Sequence, residues 1–179
     1  MGKKYELTTD TKIRFGRKLF RIKALVSFGN VKAGELGGYV EDEKNLSQNG
    51  DAWVCDNAEV CDNARVCDNA RVCGNAWVCG NAWVCGNAWV CGNAWVCGNA
   101  DYVCAKGLGS ACRSTTFFKC KNGDIGVACG CFNGNLEEFA KKVKDTHGDS
   151  KYAKEYLAMI EVVKIHFEWE DNDDNERGV

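Results

Sequence analysis

From residue 73 to residue 100 the chain reads CGNAWVCGNAWVCGNAWVCGNAWVCGNA, a six-residue unit repeated without variation. An amphipathic helix needs apolar positions every three or four residues, so a period of six excludes it. The period suits a short strand followed by a tight corner. Alternate side chains of a strand face opposite sides, so Ala76 and Val78 share one face while Trp77 and Cys79 share the other. Gly80 and Asn81 tolerate the left-handed backbone that a corner demands. One such unit cannot bury its apolar face alone, but a stack of coils can, and this predicts a solenoid.

The inward ladder then runs Val54, Val60, Val66, Val72, Val78, Val84, Val90 and Val96. Its small partners are Ala52, Ala58, Ala64, Ala70, Ala76, Ala82, Ala88, Ala94 and Ala100. Each buried valine is expected to contribute roughly 1.5–3 kcal/mol. Leu36, Val40 and Leu46 fall near the same beat, so the stack is expected to begin before residue 52. The spacing slips between Leu46 and Val54, which predicts an outward loop, and again at Asp101-Tyr102-Val103, where the stack ends.

The unit Val-Cys-Gly-Asn-Ala-Trp resembles the hexapeptide repeat of left-handed β-helix proteins, which place an aliphatic residue at one position and a small residue four later. In that family three hexapeptides make one triangular turn. The left hand, the triangle and an 18-residue turn are implied by the resemblance, as is a homotrimer. The stretch FRIKALVSFGNVKAGELGGYVEDEKNLSQNGDAWV is similar to the lead-in of hexapeptide-repeat proteins of phages and prophages. GDIGVACGCFNGNLEEFAKKVKDTHGDSKYAKEYLAMIEVVKIHF is similar to their C-terminal part. The predicted fold is therefore a β-solenoid, a left-handed parallel β-helix with an N-terminal β-hairpin and a small C-terminal ββαα cap.

The expected boundaries are a basic N-terminal hairpin or cap over 1–32, the β-helix over 33–112, the ββαα unit over 113–167 and an acidic disordered tail over 168–179. The hairpin is read over residues 11–26, with Gly16-Arg17 at its turn and Ile13, Phe15, Leu19, Phe20 and Ile22 supplying apolar contacts. Thr115–Cys120 and Ile125–Cys131 are the cap's strands, joined by the hairpin signal Lys121-Asn122-Gly123-Asp124. Asn135 with Glu138 predicts a capped helix N-terminus, and Gly148 ends that helix. A second helix runs from about Ser150 to Phe167.

Net charge is −2, so bulk electrostatics names no partner and nucleic acid is not expected. The start MGKKYELTTD carries no apolar signal core and no long apolar run follows, which predicts no membrane partner and a cytoplasmic protein, of the host cell if phage-encoded. The 13 cysteines are then expected as reduced thiols. With 18 residues per turn they stack in outward columns: Cys55, Cys73, Cys91; Cys61, Cys79, Cys97; and Cys67 with Cys85, Cys104 following slightly out of phase. Stacked positions lie about 4.8 Å apart and a disulfide wants Cβ atoms near 3.8 Å, so in-column bridges are not expected. A thiol-rich metal binder is one alternative function, but a flat column offers few converging ligands. Cys120, Cys129, Cys131 and His147 have zinc-ligand types yet read as core cysteines beside a helix-capping histidine. No metal site or cofactor is expected.

The outward tryptophans are the stronger functional signal. By column they fall as Trp53, Arg71, Trp89; Glu59, Trp77, Trp95; and Arg65, Trp83, Asp101. Large rings left on a surface mark faces that meet something. The candidate ligand or interface residues are thus Trp53, Trp77, Trp83, Trp89 and Trp95, with Arg65 and Arg71 offering charge for a phosphate or carboxylate. Partners are expected to be the chain itself, a small anionic ligand or a host protein. Hexapeptide-repeat acyltransferases use a histidine near a subunit junction. His147 and His166 both lie outside the repeats, so no catalytic residue is assigned and acyl transfer remains the other alternative. The expected role is a non-enzymatic phage accessory scaffold that binds a partner or a nucleotide-like host defence signal at subunit interfaces.

Overall fold

A computed structural model describes residues 2–169. The acidic tail expected over 168–179 lies almost wholly outside the described residues. The chain opens with an antiparallel hairpin, β1 (Tyr5–Arg14) and β2 (Arg17–Ala24), followed by β3 (Leu36–Val40). Eight two-residue strands then recur every six residues: β4 (Trp53–Val54), β5 (Glu59–Val60), β6 (Arg65–Val66), β7 (Arg71–Val72), β8 (Trp77–Val78), β9 (Trp83–Val84), β10 (Trp89–Val90) and β11 (Trp95–Val96). They stack in parallel with an offset of three units: β4-β7-β10, β5-β8-β11 and β6-β9. The molecule is a β-solenoid of about three turns with an N-terminal hairpin and two C-terminal helices.

The core follows the ladder read from the sequence. All eight valines from Val54 to Val96 are buried, as are the alanines from Ala52 to Ala94. Ala100 is the exception. It is exposed because the chain leaves the stack through a 3-10 turn at Asn99–Asp101. The stack does begin early, since Val40 pairs with Val60 and Leu46 bridges to Val66. Both pairings span 20 residues rather than 18, and the surplus is taken up by the loop before Trp53.

The corners change chemistry along the chain. In the first coil they carry Asp56, Asp62 and Asp68 with positive φ of 53°, 59° and 58°, a region that side chains enter at a cost. Each carboxylate recovers a hydrogen bond, accepting the N–H of Gly74, Gly80 or Gly86 in the coil above at 2.9–3.1 Å. Asparagine amides repeat the device, Asn63 donating to Asn81 and Asn69 to Asn87.

Two cysteine columns depart from the expected reduced stack. Cys55 is bridged to Cys73 and Cys79 to Cys97. The Cα atoms stand 4.7 and 4.5 Å apart, inside the range a disulfide accepts. The expectation failed because it held side chains parallel, whereas adjacent sulfurs can turn toward each other along the column.

The C-terminal unit holds the two expected strands, β13 (Arg113–Lys119) and β14 (Ile125–Cys129), and two more, β12 (Tyr102–Leu108) and β15 (Phe132–Asn135), in one antiparallel sheet of order β12-β13-β14-β15. Phe118 and Ala128 join the solenoid core and close its end. Phe117, Ile125 and Val127, on the other face, pack against helices α1 (Leu136–His147) and α2 (Lys151–His166). The Asn135/Glu138 capping box forms as read, with the Glu138 N–H donating to Asn135 Oδ1 at 2.8 Å and the Asn135 N–H to Glu138 Oε2 at 3.0 Å. In the β13–β14 register Lys119 opposes Ile125 and Thr115 opposes Cys129. Cys120 packs toward the solenoid, Cys129 packs toward the helices and Cys131 is exposed, so these three form neither a ligand cluster nor a shared core.

Near the start, Lys4 is buried beside the loop and donates to the carbonyls of Gly50 and Ala52. Burial lowers its pKa from 10.5 to about 8, with Asp51 opposing the shift. A lowered lysine pKa means the fold carries the full cost of the charge below pH 8, and this cost is relieved as pH rises toward 10.5. Wild-type stability is therefore expected to gain on Lys4→Met between pH 8 and 10.5, by on the order of 1–2 kcal/mol once solvent screening is allowed for. Urea midpoints across that window check it.

Candidate functional site

The hairpin does not stop at the edge of the sheet. A register shift between Leu7 and Thr11 interrupts β1, and such irregularities bend a strand. The tip then runs up the outside of the solenoid. Lys12 and Arg14 pair with Glu59 in the first coil, and Arg17 pairs with Glu41 and Asp62. Lys12 also sits over the Tyr39 ring, 3.9 Å from its centroid. The Arg17 pairs are part-exposed and individually weak, whereas Glu59 is largely buried beneath Lys12 and Arg14; together they clamp both strands of the hairpin to one face.

The turn itself is Phe15-Gly16, one residue earlier than the Gly16-Arg17 read from the sequence, and Arg14 opposes Arg17. Both turn residues have positive φ, 46° and 75°, the signature of a tight hairpin turn that normally selects Asn, Asp or Gly at its first position. Phenylalanine is strained there by roughly 1–2 kcal/mol. Its ring explains the choice. It meets Trp77 edge-on, with centroids 5.2 Å apart at 87°, and lies 6.5 Å from Trp95.

Trp77 and Trp95 are register partners on adjacent coils. With Phe15 they wall a groove of about 530 Å³. Its charged ends come from different parts of the chain. Arg14 lies over Trp77 at 5.7 Å, and Lys121, on the turn between β13 and β14, lies over Trp95 at 6.0 Å. That turn is held down by the Lys121 N–H, which donates to the Asn93 carbonyl at 3.1 Å. Amides of Asn75, Asn93 and Asn122 line the space between. Three rings, two cations and three amides thus converge from the hairpin tip, the second and third coils and the cap. Among the described lining residues none is a carboxylate or an imidazole.

The other sequence-predicted residues lie elsewhere. Trp53 is 1% exposed, covered by Tyr5 at 6.4 Å and Phe28 at 5.4 Å, so it meets no partner. The sequence reading started the hairpin at residue 11 and missed that Tyr5 begins it. Trp83 and Trp89 are 54% and 39% exposed. They sit on two further faces, Trp83 stacked above Arg65 and Trp89 above Arg71. Neither arginine lines the groove. Arg14, Phe15 and Lys121 were not assigned from sequence. The one available signal was an aromatic residue directly before a turn glycine.

The histidines take structural places. His147 ends α1 and stacks on Tyr156 with centroids 5.9 Å apart, while His166 Nε2 lies 3.0 Å from the Ala100 carbonyl. Among the described residues two groups bring three potential metal donors together. In one, Cys55 and Cys73 are already bridged to each other. In the other, Glu41 and Asp62 are paired with Arg17, and burial pushes the Cys61 thiol up to about 12, aided by Asp62.

Residues 64–80 match the family model described as the YdcK beta solenoid repeat. The repeat is a β-solenoid repeat. The match spans 17 of the 179 residues and identifies the coil, not the whole chain. No curated protein matches the sequence. Among the described residues no helix is long and apolar enough to cross a membrane.

Proposed function

We propose that this chain is a non-enzymatic binding protein whose groove takes a small anionic ligand with a flat ring. The observation that carries the reading is the placing of Trp77, Trp95 and Phe15 between Arg14 and Lys121. Aromatic walls hold a planar group by stacking, cations hold phosphate or carboxylate, and asparagine amides read polar edges. The volume falls within the range of small-molecule sites. A nucleotide-like compound combines these features, in keeping with a phage or prophage accessory role. The groove is built within one chain, so binding does not wait on assembly. The lack of a general base along its described lining favours capture over acyl transfer.

The exposed rings of Trp83 and Trp89 support self-association as a second reading, with three copies as the resemblance to hexapeptide proteins implies. Light scattering at micromolar concentration reads the mass directly.

The groove is tested with a thermal-shift and tryptophan-quenching panel of mononucleotides, cyclic nucleotides, inorganic phosphate and acetyl-coenzyme A. A nucleotide is expected to bind, and to lose roughly 10–100-fold in affinity with Trp95→Ala or with Arg14→Gln plus Lys121→Gln. Inorganic phosphate alone should bind far more weakly. Protection by acetyl-coenzyme A alone would move the protein to the acyltransferase reading. Silence across the panel would sink the anionic-ligand reading.

A further inference from the structure

The groove has a second candidate occupant within the same chain. Residues 170–179 read EDNDDNERGV, five carboxylates against one guanidinium. We propose that this segment docks in the groove, its carboxylates on Arg14 and Lys121, and so competes with any external anion for the site.

The path to the groove is short. The described chain ends beside the turn that carries Lys121. Phe167 lies under the Lys119 ammonium at 5.8 Å, and Trp169 shares a hollow with Asp124 and Ile125, which close that turn. The Trp169 N–H donates to the Lys164 carbonyl at 2.8 Å, which anchors the point of departure. Asn122, two residues from Asp124, already lines the groove. Ten residues reach up to about 33 Å when extended, far more than crossing a four-residue turn requires.

The charges match in sign and place. Arg14 and Lys121 stand at the two ends of the groove, exposed, and each lies over an indole rather than in a closed bidentate pair. Arg14 keeps one longer contact, Nε to Glu59 at 3.5 Å. Arg65 lies on another face, opposite Trp83, and provides the internal comparison.

The test uses the full chain labelled with ¹⁵N, following the indole N–H signals of Trp77 and Trp95 assigned through Trp→Phe variants. Neutralising the segment (Glu170→Gln, Asp171→Asn, Asp173→Asn, Asp174→Asn, Glu176→Gln) should move both signals and leave Trp83 in place. Raising salt to about 1 M, where screening acts over about 3 Å, should move the wild-type signals the same way. In a chain ending at Trp169, a synthetic peptide EDNDDNERGV should restore them, with affinity reduced about tenfold by Arg14→Gln plus Lys121→Gln. Unmoved Trp77 and Trp95 signals overturn the proposal. So does a response confined to Trp83, which would put the segment on the Arg65 face. A response that depends on protein concentration also overturns it, by assigning the segment to a neighbouring copy. The proposal needs the groove's rings and charges but not the external ligand. Repeating the nucleotide panel on the chain ending at Trp169 separates the two, because a groove that binds nucleotide but not peptide fails only this inference.

Discussion

Val78→Asp abolishes the folded state. Val78 is fully buried in the middle coil and pairs with Val60 below and Val96 above. A carboxylate there has no cation and no amide to meet, because the solenoid interior is walled by valine and alanine side chains. The cost exceeds about 4 kcal/mol, most or all of the 5–15 kcal/mol that holds a typical domain together. Parallel coils transmit the damage, since β8 is hydrogen-bonded to β5 on one side and to β11 on the other. Val78→Ala keeps the interior apolar and is expected to cost about 2 kcal/mol. Arg65→Ala, an exposed site on the same coil stack, should stay within about 0.5 kcal/mol. Circular dichroism and urea unfolding distinguish the three. A folded, cooperative Val78→Asp protein would mean that the valine ladder is not the core.

The two bridges make the second large contribution. Each joins residues 18 apart, and closing a loop of that size in the unfolded chain is worth about 3 kcal/mol. Reduction should therefore lower the urea midpoint markedly. Cys55→Ser and Cys97→Ser should each remove about 3 kcal/mol, and added reductant should then cost correspondingly less. Peptide mapping without reductant supplies the direct check, with Cys55–Cys73 and Cys79–Cys97 as the expected cross-links. If both pairs are free in protein prepared without reductant, the columns are thiol stacks as the sequence alone suggests.

The solenoid was legible because its signal is local. Within each hexad the strand alternation puts valine and alanine inside, and nothing distant overrides it. Even the early start at Val40 and the loop before Trp53 showed as a slip in spacing. The hairpin was legible as an element but not in its turn. Glycine at position 16 suggests itself as the first turn residue, and only contact with Trp77, more than 60 positions away, explains why Phe15 takes that strained place. The strands β12 and β15 were hidden for another reason. Tyr102–Leu108 and Phe132–Asn135 contain Gly107 and Gly134, with Asn133 and Asn135 as well, and are recruited by backbone pairing with β13 and β14 rather than by their own propensity. The groove was half legible. An 18-residue turn puts Trp77 beside Trp95, but Arg14, Phe15 and Lys121 reach them through two separate chain reversals that no local pattern encodes.

The clamp of the hairpin on the first coil and the seating of the cap on the last give the repeat number a role of its own. Arg14 is referenced to Glu59 and Lys121 to Asn93, so the coils between act as a spacer. Inserting one complete 18-residue turn would lift the cap about 4.8 Å and widen the groove without altering a single lining residue. Inserting six or twelve residues would instead rotate the cap onto another face and dismantle the groove. Ligand size in such a protein can thus be tuned by duplicating coils, a change that a sequence of near-identical hexads makes easy to acquire.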